Sequence, residues 1–70
     1  MDKDWKEIKE NVMIFLLEME DITMDTLSRD LRNAGGTREK KDRHLMIAKV
    51  HLAEMLTVLS NDIDAVNREI

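Results

Sequence analysis

Two adjacent glycines, Gly35 and Gly36, stand at the midpoint of a 70-residue chain that has no other glycine and no proline. Glycine reaches positive φ without a Cβ clash, so a glycine just past a helical run is a common stop, and Thr37 is a good N-cap for the run that follows. Asn33-Ala34-Gly35-Gly36-Thr37 therefore reads as the hinge of a hairpin, with one uninterrupted helical stretch on each side.

On the first stretch, Trp5, Ile8, Val12, Phe15, Met19 and Ile22 alternate spacings of three and four, which makes a heptad seam with Trp5, Val12 and Met19 at a and Ile8, Phe15 and Ile22 at d. Thr26 continues the a series; there the seam weakens, and Leu27 and Leu31 take over on a neighbouring stripe. The second stretch carries its own seam through Leu45, Lys49, Leu52, Leu56, Leu59, Ile63, Val66 and Ile70. The reading is a single helical-hairpin domain over 1–70, with a helix over 3–33, a turn at 34–37 and a helix over 38–69. Arms of equal length, each about 45 Å at a rise of about 1.5 Å per residue, joined by a short loop, lie antiparallel. Folding at the glycines pairs Trp5 with Val66, Ile8 with Ile63, Val12 with Leu59, Phe15 with Leu56 and Met19 with Leu52. It also sets Lys49 opposite Ile22, where replacing the charge with Leu is expected to raise the melting temperature.

The fold class is thus all-α, an antiparallel, coiled-coil-like two-helix hairpin. So short a chain lies near the lower limit for a self-sufficient core, and without cysteine it has neither a disulfide nor a thiolate to help. Dimerisation into a four-helix bundle is the expected remedy. A second stripe offers the surface for it: Met13, Leu16, Thr23 and Leu27 on the first helix, with Met46, Val50, Ala53 and Thr57 on the second, are expected to face another copy or a partner protein. Leu17, Met24, Leu31, Ile47 and Val58 fall outside both stripes, and in a chain with six methionines they form a candidate second, adaptable protein-binding patch.

The net charge of −4 is unevenly spread. Residues 1–28 hold three lysines against eight acids, whereas residues 29–44 hold six basic residues against three acids. Arg29 and Arg32 suit the C-terminal end of a helix dipole. Arg38, Lys40 and Lys41 sit at a helix N-terminus, where positive charge is unfavourable, and with Arg43 they complete a candidate contact for an anionic partner. That partner is either an acidic surface, such as the Asp2, Asp4, Glu7 and Glu10 end of a second copy, or a nucleic acid. The acidic balance and the lack of aromatic residues beside the cluster disfavour nucleic acid.

Catalytic and metal chemistry are not expected. His44 and His51 lie about 10.5 Å apart along a helix, too far for one ion, and His51 with Glu54 is the only close pair of ligand type. No cofactor and no small-molecule substrate are implied, and no carboxylate or serine has the partners an active site needs. The charged N-terminus and the short apolar runs Val12–Leu17 and Leu45–Ala48 imply no membrane segment, so a cytoplasmic protein is expected. Ser60-Asn61-Asp62-Ile63-Asp64 resembles, over five residues and with Ile in place of Leu, the Ser-x-x-Leu-Asp motif of helical-hairpin phosphatases acting on sporulation response regulators. It also lies much farther from the turn than in that family, and no role is carried over. In outline the chain is similar to small dimeric hairpins that steady RNA pairs in plasmid copy control, again with no residue carried over. The functional expectation is a homodimeric, non-enzymatic protein-binding module, a regulator or inhibitor of another intracellular protein of bacterial or phage type. The alternatives are an RNA- or DNA-binding hairpin dimer using its basic turn end and a purely structural assembly segment.

Overall fold

The computed structural model describes residues 4–69, so Asp2, the expected helix start at Lys3 and the seam position Ile70 lie outside the described residues. Asp4 is extended, and its carboxylate accepts a hydrogen bond from the Lys6 amide at 3.1 Å, which opens helix α1, Trp5–Arg32. Glu7 in its first turn and Arg29 and Arg32 in its last complement the dipole. The far end closes by tightening: the Asn33 amide donates to the Asp30 carbonyl at 3.2 Å and the Ala34 amide to the Leu31 carbonyl at 3.1 Å. Asn33 itself is right-handed, and no left-handed residue ends this helix.

Glycine is needed one step later. Gly36 has φ 112° and immediately precedes Thr37, whose hydroxyl oxygen accepts from the Lys40 amide at 3.2 Å and opens helix α2, Arg38–Asn67. The glycine pair, read from the sequence as the stop of the first helix, serves the entry to the second. Gly35 has an ordinary φ and open space around it, so only Gly36 requires the missing side chain.

The helices run antiparallel as a single flat layer, with principal extents of 53 × 21 × 9 Å over the Cα atoms. Lys9 Nζ meets Asp64 Oδ1 at 2.6 Å near the open end, while Leu31 and Leu45 line a common groove beside the hinge. Among the described residues none is fully buried; the contact between helices is made by half-buried side chains.

Those side chains correct the expected seam. On α2, Leu45, Leu52, Leu56, Leu59 and Ile63 are half-buried as expected, but Lys49 and Val66 are exposed, and Lys41, Ala48 and Asn67 take the corresponding turns. On α1 Ile8 is half-buried as expected, but the half-buried stripe goes on through Lys9, Met13, Leu16, Glu20, Met24, Leu27 and Leu31. Trp5, Phe15 and Ile22, expected in the seam, are 64%, 62% and 65% exposed, and Val12 and Met19 are exposed with them. The contact stripe is displaced by one residue, a rotation of about 100° around α1.

The turn explains the rotation. The purer heptad ends at Ile22, whereas Leu27 and Leu31 lie on the neighbouring stripe close to the hinge. A loop as short as residues 33–37 forces the last turns of α1 onto the first turns of α2, so the residues that are apolar there set the face for the whole straight helix. The level of pairing moves little, because Leu16 and Glu20 share a groove with Leu52 and Leu56.

Candidate interaction surfaces

Rotating α1 turns its most hydrophobic stripe outward. Trp5, Val12, Phe15, Met19 and Ile22 form an exposed apolar strip along one edge of the hairpin. Met19 and Thr23 from this edge and Met55 and Leu59 from α2 line an open groove of about 350 Å³ above Leu16, Leu52 and Leu56. Thr23 donates its hydroxyl to the Met19 carbonyl at 2.8 Å, so the polar atom is satisfied within the helix and the groove stays apolar. We call this face A. It continues along α2, where His51, Val58 and Asp62 share the next depression with Met55 and Leu59.

The interface residues expected from the sequence do not form one surface. Met13, Leu16 and Leu27 belong to the half-buried stripe toward α2, whereas Thr23 is exposed at the rim of face A. Met46, Val50, Ala53 and Thr57 are exposed on the outer side of α2. There Val50, Ala53 and Thr57 line a shallow depression with Val58, and Thr57 returns its hydroxyl to the Ala53 carbonyl at 3.1 Å. Of the second expected patch, Met24 and Leu31 are half-buried toward α2, and Leu17, Ile47 and Val58 are exposed. Leu17 shares a groove with Met13, Ile14 and the stems of Lys6 and Lys9. It lies about 160° round α1 from Met19, which places it on the opposite face, face B.

The six basic residues of the turn end are divided too. Arg32, Arg38 and Lys41 line one groove with Ser28 and Asp42, and Lys41 is half-buried there between the helices. Arg38 Nε lies 3.8 Å from Asp42 Oδ2, one turn on. Arg29, Lys40 and Arg43 are exposed around the same end. His51 Nδ1 stands 3.4 Å from Glu54 Oε2, both well exposed on α2. Among the described residues there is no group of three potential metal ligands, and no helix is long and apolar enough to cross a membrane.

The face A strip is legible in the sequence as a heptad, but its outward orientation depends on Leu27 and Leu31 next to the hinge. Glu20 and Lys9 on the contact stripe are the residues that sequence reasoning misses, since a charge in a seam gives no apolar signal. Comparison with protein-family models, with curated proteins and with solved structures gives no match.

Proposed function

We propose that this chain is a non-enzymatic protein-binding module that works as a homodimer and regulates or inhibits another protein through helix-to-helix contacts. The observation that carries this reading is the inversion of burial: among the described residues no hydrophobic side chain is fully buried, while Trp5, Phe15, Met19, Ile22, Met46, Met55 and others stand exposed. Apolar surface spread along two long helices favours partners that are themselves amphipathic helices, and methionine-rich faces adapt to such partners. The grooves are shallow and open, and they bring together no nucleophile, base and orienting group of the kind catalysis uses.

The test is a direct binding measurement. A protein retained from host extract by the wild type is purified and titrated against the wild type and against Leu17→Glu and Val50→Glu variants. Binding by the wild type, weakened at least about tenfold by either substitution, which is about 1.4 kcal/mol, supports the reading. A chain that retains no protein, or whose binding ignores both substitutions, does not act as proposed.

A further inference from the structure

We infer that face A is the self-association surface of this chain, and that its occupant is a second copy lying antiparallel, with the two hinges at opposite ends and α1 crossing over α1. Val12, Phe15, Met19 and Ile22 keep the three-four spacing of a helix packed on a helix, with Trp5 a heptad before Val12, yet α2 contacts the stripe one residue away. A heptad strip of this kind is completed by another helix, and among the described residues α2 is already turned to the neighbouring stripe.

Area sets the size of what is missing. The hairpin exposes 6155 Å², about a third more than the roughly 4,500 Å² of a compact monomer of its 8.2 kDa mass. A compact particle of twice that mass exposes about 7,500 Å², so closing two hairpins face to face would remove up to about 4,800 Å². That falls within the range of obligate homodimers, about 2,000–5,000 Å².

Charge decides the orientation. Two flat hairpins stacked about a two-fold axis have their hinges either at the same end, with α1 over α2 of the second copy, or at opposite ends, with α1 over α1. The same-end arrangement brings the two basic hinge ends together, with Arg29 and Arg32 at the end of one α1 over Arg38, Lys40 and Lys41 at the start of the second copy's α2. The opposite-end arrangement sets each basic hinge end beside the second copy's acidic open end, Arg29 and Arg32 level with Asp4 and Glu7 along α1 and Lys40 level with Asp62 and Glu69 along α2, attraction in place of repulsion. With α1 fully overlapped on itself, Phe15 comes level with Ile22 of the second copy, and Met19 lies beside the two-fold axis.

The chain has no cysteine, so one engineered thiol reports this geometry cleanly. Under mild oxidation Met19→Cys forms a disulfide-linked dimer, because the two equivalent positions meet near the axis, while Leu17→Cys on face B does not. Sedimentation equilibrium of the wild type at micromolar concentration gives twice the monomer mass, and Phe15→Glu or Ile22→Glu shifts it to the monomer. The cross-link keeps the inference testable if those variants unfold on losing their partner. A monomeric wild type, a cross-link through Leu17→Cys instead of Met19→Cys, or a dimer indifferent to Phe15→Glu and Ile22→Glu overturns it. The inference rests on the reading of this chain as an interaction module, and the outcomes separate the two. A cross-linked dimer that binds no other protein removes the proposed regulation alone, and a monomer that binds a target removes the dimer alone.

Discussion

Gly35 and Gly36 look alike in the sequence and differ in what the backbone asks of them. At φ 112° Gly36 holds a conformation that an L side chain adopts only under strain, although a Cβ there would make only an ordinary contact, 3.7 Å from Lys40 Cδ. Gly36→Ala is expected to cost about 1–3 kcal/mol in a urea melt. Gly35→Ala meets nothing within 4 Å and loses unfolded-state freedom, so it is expected to be neutral or to stabilise by up to about 1 kcal/mol. Equal effects at the two positions would show that the turn does not depend on the positive φ. The same distinction bears on function, because Gly36 fixes the direction in which α2 leaves the hinge and hence which sides of the two helices make face A.

At the scale of the helices, the informative residue is Glu20. It is half-buried on the contact stripe of α1, in a groove with Leu16, Leu52 and Leu56, and among the described residues it has no ion-pair partner. Glu20→Leu is expected to stabilise the hairpin by about 1 kcal/mol, the gain from placing apolar area where a carboxylate now meets leucines. Lys49, which the sequence puts opposite Ile22 in the seam, is exposed, so Lys49→Leu is expected to change stability by less than about 0.5 kcal/mol instead of raising it. Thermal melts of the two variants side by side distinguish the observed stripe from the one expected, which predicts the reverse order. The hairpin, its hinge and the apolar turns of α2 were legible because leucine repeats and glycine act locally. The facing side of α1 was not. Two stripes compete there, and the contest is decided by Leu27 and Leu31 through a tertiary constraint, the short turn, that spacing alone does not weigh. The outward strip at Trp5, Phe15 and Ile22 is therefore visible in the sequence as a heptad, whereas its exposure is not.

For the molecule as a whole, the Cα atoms lie in a layer 9 Å thick and no side chain is fully buried among the described residues, so the hairpin offers little core of its own. Chain entropy rises with every ordered residue, whereas a single row of half-buried contacts returns only part of the apolar area that a closed bundle would. If face A closes on a second copy, folding and association are one process, and stability becomes a function of protein concentration. The size of the effect follows from chain length. Unfolding entropy of about 2.1 cal/mol/K per residue, taken over both chains, gives roughly 0.3 kcal/mol/K for the dimer. Each tenfold rise in concentration contributes about 1.4 kcal/mol, so the melting temperature is expected to climb by about 5 °C per decade. Circular dichroism melts across two decades of concentration measure this directly, and the Phe15→Glu variant should lose the slope along with the dimer. A melting temperature that stays constant would mean that the hairpin carries its stability alone, with Trp5, Phe15 and Ile22 left in water.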